Sequence, residues 1–155
     1  MDTKLGIPQK DIKSNIKDLT VVLASEMVLY VKTRKFHWNV AGNSFMEMHK
    51  LFEAQYNELE LIIDEVAERI GKLGDKAIGT MKEFNDHSIL KESTKYEEKD
   101  AMVNELLEDY RILITKIREF IKEIDETDDF GTADFLTGII QKHEAQAWIL
   151  RRYNN

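Results

Sequence analysis

The sequence predicts an all-α fold: four long amphipathic helices in one bundle, with a short extra helix in a long middle crossover. Three observations predict it. Apolar residues return at helical spacing over four long segments, most plainly Phe45, Phe52, Leu59, Val66 and Leu73 at seven-residue intervals. Helix breakers are scarce, with one proline (Pro8) and seven glycines in 155 residues. Two short turns and one connection of about twenty residues join the segments, as in two helical hairpins linked by a crossover.

The first helix is expected over 10–40, with Ile12, Ile16, Leu19, Leu23, Met27 and Tyr30 on a stripe that His37 continues. Gly42-Asn43 marks a turn. The second helix is expected over 44–73, where Met48, Tyr56, Ile63 and Ile70 widen the heptad stripe. Ser44-Phe45-Met46-Glu47 reads as a capping box, Gly74 as a stop, and Glu65 with Arg69 as an i,i+4 ion pair. The crossover, 74–95, carries breakers at Gly74, Gly79 and Asn85 and a short helix expected at 80–84. The third helix, 96–125, aligns Val103, Leu106, Tyr110, Leu113, Ile117, Phe120 and Ile124. The fourth, 132–153, aligns Phe135, Leu136, Ile139, Ile140, Ala147 and Leu150, with His143 and Trp148 expected in its core. Residues 1–155 read as one domain, with 1–9 a flexible tail.

Composition narrows the chemistry. With no cysteine there is no disulfide framework and no thiolate site. The opening residues Met1 to Pro8 lack the apolar run of a signal peptide, so a cytoplasmic setting is expected. No apolar stretch approaches the roughly 20 residues that span a bilayer, and no membrane partner is expected. The formal charge of −7 argues against nucleic acid as the main partner and is compatible with attracting cations, as it is equally with ordinary solubility.

Four residues carry the site argument: His37, His49, Asp64 and Glu68. Two imidazoles and two carboxylates are a ligand set for Fe(II) or Zn(II). Asp64 and Glu68, four residues apart, share a helix face. His37 and His49 stand about equally far on either side of the Gly42-Asn43 turn, so a hairpin sets them side by side. His49 and Asp64 lie fifteen residues apart on one helix, about 22 Å at 1.5 Å per residue. Ligands of one metal stand within roughly 4 Å of each other. One subunit therefore cannot close the site, but two copies packed antiparallel near Tyr56 and Asn57 can, giving two sites per twofold dimer. Each residue also has an ordinary role open to it: the histidines as packing residues, Glu68 as a partner for Lys72.

Phe36-His37-Trp38-Asn39-Val40-x-Gly42, His49-x-Leu51-Phe52 and Asp64-Glu65-x-Ala67-Glu68-Arg69-Ile70-x-x-Leu73-Gly74 resemble the signature of the Dps family, the mini-ferritins. The resemblance continues through Thr132-Ala133-Asp134-Phe135-Leu136-Thr137 and His143-Glu144-x-x-x-Trp148, so it covers nearly the whole chain. It implies a ferritin-like four-helix bundle, a dodecameric shell, and an iron-oxidising centre of His37, His49, Asp64 and Glu68 across a twofold interface. It also implies hydrogen peroxide as preferred oxidant over O2, and a ferric mineral stored inside. No Glu-x-x-His occurs in the chain, which counts against the intrasubunit di-iron centre that other ferritin-like bundles build from that motif.

Further positions follow from the resemblance. Glu53, one turn past His49, is a candidate for a second, weaker iron, or else a solvated side chain. Asp128, Asp129 and Asp134 correspond to acidic residues that line iron-entry pores, although acidic residues also suit a helix start. Trp38 reads as an interface residue or an electron-transfer residue. Lys50 departs from the family, where an acidic residue often follows the histidine and assists mineral nucleation.

Some relatives bind DNA through lysine-rich tails, the rival function here. Lys4, Lys10, Lys13 and Lys17 are offset by Asp2, Asp11 and Asp18. Affinity carried by so few phosphate contacts falls steeply with salt. The expected result of a gel-shift titration of the assembled protein is no stable complex with linear duplex DNA near physiological ionic strength. Tight binding in 150 mM salt, on the order of physiological strength, would make DNA contact a principal function.

Overall fold

The computed structural model describes residues 3–153, in which all regular structure is helical. The elements are α1 (Gln9–Asn39), α2 (Phe45–Lys72), α3 (Met81–His87), α4 (Lys99–Asp125) and α5 (Phe130–Tyr153). They are the four long helices that the periodicity predicts and the short crossover helix expected between the breakers. Of the expected tail, Met1 and Asp2 lie outside the described residues, while Ile7 packs against the core. Pro8 precedes α1, and its carbonyl accepts the first backbone bonds, from Asp11 and Ile12. A proline suits this place because its fixed φ is helix-compatible and it has no N–H to leave unpaired.

The turn between α1 and α2 is tight. Val40 closes α1 by donating to Phe36 O at 2.8 Å. Gly42 (φ 83°) and Ser44 (φ 64°) both hold left-handed backbone, and Phe45 N–H bonds Gly42 O at 3.2 Å. Here one expectation fails. Ser44 precedes α2 but makes no capping hydrogen bond, because a capping serine needs β-region backbone to aim its hydroxyl at the helix N–H groups. The capping box is instead at α3, where Thr80 and Glu83 exchange side-chain and backbone bonds. Gly74, at φ 100°, ends α2 as expected: Asp75 N–H reaches Ile70 O and Gly74 N–H reaches Gly71 O, a Schellman motif.

α1 packs mainly on α2, and α4 on α5, while α3 rests on α1. The predicted stripes line the shared core, with Leu19, Leu23, Phe52, Leu59, Val66, Leu106, Leu113, Ile117, Leu136 and Leu150 at most 1% exposed. Full burial of such a side chain contributes about 1.5–3 kcal/mol. Phe45 begins the heptad stripe yet is 40% exposed, its ring lying against His49. Trp148 corrects another expectation: it is 53% exposed. It follows buried Ala147 and so points about 100° round α5 from the core stripe. His143 is fully buried as expected, bonded through Nε2 to Glu26 at 2.6 Å.

Charged ties set the helices in register. Lys32 of α1, 4% exposed, reaches Asp109 at 2.6 Å and Glu105 at 3.0 Å on α4. Burial pushes the Asp109 carboxyl up from its ordinary range, and Lys32 opposes that shift. A carboxylate with a raised folded pKa loses favour as pH rises through that pKa. Lys32→Met leaves Asp109 buried without its cation and is expected to cost about 3 kcal/mol near neutral pH. The deficit should shrink on acidification, because a protonated Asp109 needs no cation. Thermal melts followed by circular dichroism at neutral and mildly acidic pH check this, and a deficit that grows on acidification would contradict it.

Candidate metal centre

The α1–α2 hairpin sets its two histidines in contact. Phe36 and Val40 are buried on either side of His37 and anchor the end of α1. His37 and His49 stack with ring centroids 3.7 Å apart and planes 18° apart. Each Nδ1–H donates to the other residue's backbone carbonyl, His37 to His49 at 2.7 Å and His49 to His37 at 2.9 Å. A carbonyl only accepts, so both rings carry their proton on Nδ1 when neutral, and both Nε2 atoms keep a lone pair. Metal-ligating histidines are commonly oriented in this way, by a second bond from the nitrogen that does not face the metal. Tyr56 meets His37 edge-on at 5.1 Å, and Phe45 lies 5.1 Å from His49 on the other side.

The carboxylates lie elsewhere. Asp64 and Glu68 are exposed on α2, and Asp64 has no hydrogen bond or ion pair among the described residues. Glu68 pairs with Lys72 at 3.3 Å, with both side chains more than half exposed, an arrangement worth at most about 1 kcal/mol. Among the described residues no three metal-ligating side chains converge. The helical rise from His49 to Asp64, about 22 Å, accounts for this. Glu53 is exposed one turn beyond His49. Trp38 is 65% exposed beside His37.

The three aspartates near α5 part company. Asp129, 2% exposed, caps α5 by accepting from Thr132 N–H (3.1 Å) and Thr132 Oγ1 (2.6 Å). It also accepts from Asn15 of α1 at 3.1 Å and from Arg69 of α2 at 3.0 Å. Its carboxylate is thus fully engaged inside the subunit. Arg69 therefore does not pair with Glu65, as the spacing suggests; a buried carboxylate is a stronger partner than an exposed neighbour one turn away. Glu65 faces Lys142 at 3.7 Å instead. Asp128, at φ 59°, and Asp134 are exposed. Tyr153 ties the end of α5 to the start of α2 by donating to Glu47 at 2.7 Å. That bond pushes its phenol up to about 12.

The feature that sequence reading missed is an aromatic and cationic cluster beside His37. Arg34 lies over Tyr56, Trp38 and Tyr30, with its guanidinium carbon 4.3, 5.5 and 5.6 Å from the ring centroids. The i,i+4 spacings Tyr30–Arg34 and Arg34–Trp38 were a signal for it. Tyr56 comes from the other helix and was not.

A family model for the ferritin-like domain matches residues 16–155. In sequence, the chain is 36% identical over 143 residues to DNA protection during starvation protein 2 of Bacillus anthracis, covering 92% of this chain and 98% of that one. In structure, it matches the Dps protein of Bacillus brevis with TM-score 0.92 at 32% identity, covering 96% and 100% of the two chains. It also matches the Dps protein of Vibrio cholerae, described as one of a broad superfamily of ferritin-like diiron-carboxylate proteins. That match has TM-score 0.92 at 29% identity and covers 96% and 94%. The fold and these likenesses define a ferritin-like protein. Within that class, the chain belongs to the Dps family.

The split between the aspartates has a measurable consequence. Asp129→Ala removes the α5 cap and strands Arg69, and is expected to lower stability by about 2–3 kcal/mol. Asp134→Ala should stay within about 0.5 kcal/mol of the parent. Denaturant titrations of the two variants check this, and equal effects would remove the structural role given to Asp129.

Proposed function

We propose that the protein oxidises Fe(II) at centres shared between two subunits and stores the ferric product as mineral in a hollow, dodecameric shell. His37 and His49 of one subunit supply neutral Nε2 donors. Asp64 and Glu68 of the partner subunit supply carboxylates. The observation that carries this reading is the state of the histidine pair. Both Nδ1 atoms are taken up by backbone carbonyls at 2.7 and 2.9 Å, which leaves two oriented Nε2 lone pairs for a metal.

The donor set suits the chemistry. Imidazole nitrogen suits Fe(II), and carboxylate oxygen favours the harder Fe(III), so oxidation is drawn forward at the same ligands. With hydrogen peroxide as oxidant, two Fe(II), one peroxide and two protons give two Fe(III) and two waters, and no hydroxyl radical is released. Asp128 and Asp134, both exposed, remain candidates for guiding iron inward, and Glu53 for a weaker second iron. The relative from Bacillus anthracis is named for DNA protection. We assign protection here to iron removal rather than to DNA contact, because exposed Lys10, Lys13 and Lys17 are interleaved with Asp11 and Asp18.

The test is complementation in mixed shells. Shells of His37→Ala/His49→Ala subunits, and shells of Asp64→Ala/Glu68→Ala subunits, should each lose fast Fe(II) oxidation by stopped-flow absorbance. Co-assembled shells should recover part of it, because a mixed dimer holds one intact centre. Peroxide should outpace air-saturated buffer by roughly tenfold or more, or about 1.4 kcal/mol of barrier. Verified mixing without recovery would remove the shared-centre assignment.

A further inference from the structure

The histidine half of the proposed centre is walled by oxidisable rings, and one cation serves them all. Tyr56, 9% exposed, meets His37 edge-on at 5.1 Å, and Tyr30 meets Tyr56 edge-on at 6.3 Å. Trp38 adjoins His37 in sequence. Arg34 stands three residues before His37 on α1, its guanidinium carbon 4.3 Å from the Tyr56 centroid and 5.5 Å from that of Trp38. Its Nη1 donates to the Tyr30 hydroxyl at 3.2 Å. It makes no ion pair with a carboxylate among the described residues of its own chain. For a half-buried guanidinium this is an unusual choice of partners, since ring faces replace the usual carboxylate.

Oxidation of a phenol removes one electron and one proton, and oxidation of an indole passes through a radical cation. Positive charge on the ring face opposes both, because the attraction between cation and ring is lost as the ring gives up charge. Tyr30 is further hindered. Its oxygen accepts from Arg34, and no group among the described residues accepts its proton.

We propose that Arg34 is a guard residue, raising the cost of taking an electron from Tyr56, Tyr30 and Trp38 so that oxidising equivalents are consumed by Fe(II). This purpose rests on the ferroxidase reading above. When a single Fe(II) reduces peroxide by one electron, an oxidant one electron short remains beside hydroxide. A second Fe(II) fills it in the productive course. If a ring supplies that electron, a tyrosyl radical is left, and its phenolic proton joins the reduced oxygen to make water. Arg34 disfavours the second course and leaves the first untouched.

The experiment compares the parent protein with Arg34→Gln, which removes the charge, and Arg34→Lys, which keeps it. Each assembled protein is treated with Fe(II) and limiting peroxide. Separately, each is treated with photogenerated ruthenium(III) tris-bipyridine, a one-electron oxidant that acts without iron. Peptide mass spectrometry then counts oxidation at each tyrosine and tryptophan. The glutamine variant should show roughly threefold or more extra oxidation at Tyr56 and Tyr30 in both reactions, and the lysine variant should stay close to the parent. Parent-like oxidation of the glutamine variant by ruthenium would overturn the guard. So would a lysine variant that rises as far as the glutamine one, because packing and not charge would then be responsible. A response to ruthenium with no ring oxidation by iron in any variant supports the guard and overturns the placement of iron chemistry beside it.

Discussion

The turn between α1 and α2 is the constraint on which the arrangement of this subunit depends. Two left-handed residues, Gly42 and Ser44, reverse the chain within five residues of Asn39. Two rigid helices must then run back along each other with their ends in register. Residues near the turn are brought together whatever their chemistry, and residues at the far end of α2 are held away. That is why His37 and His49 stack while Asp64 and Glu68 stand exposed. The same rigidity makes the carboxylates available to a second copy, and the proposed centre becomes a consequence of helix length as much as of ligand type.

Contact alone would not make two histidines useful. Their reciprocal bonds to backbone carbonyls dispose of one nitrogen on each ring and orient the other. The bonds are possible because the turn places each carbonyl opposite the other ring. Around this pair the wall is aromatic, and the cation Arg34 is committed to its ring faces. A carboxylate in that place would compete for metal; rings do not.

Away from the centre, buried polar ties join helices that the hydrophobic stripes alone would let slide. Lys32 fixes α1 against α4, Glu26 with His143 fixes α1 against α5, and Asp129 gathers α1, α2 and the start of α5. Such ties add little net stability over well-packed apolar residues, but breaking one partner away is costly. Their effect is to make one level of packing between the helices much better than its neighbours. Asp129 is engaged in this way, while Asp128 and Asp134, the other two aspartates considered for a pore, stay exposed.

The helices were legible in the sequence because heptad spacing, a single proline and well-placed glycines are local properties of the chain. The short crossover helix and the stop at Gly74 were legible for the same reason. So was the separation of His49 from Asp64 along α2, since it needs only the rise of a helix. Side-chain partners were not. Ser44 fails as a cap because its backbone is left-handed, and Arg69 abandons Glu65 for Asp129, sixty residues on. Trp148 turns outward because the core stripe of α5 is narrower than its apolar content suggests. The sequence by itself determined element order, helix length and the spacing of ligand-type residues, all set by backbone geometry within a few turns. Only the tertiary structure decided which nitrogen of each histidine is free, which aspartate is engaged and which rings Arg34 covers, because each depends on atoms from helices distant in sequence meeting within a few ångströms.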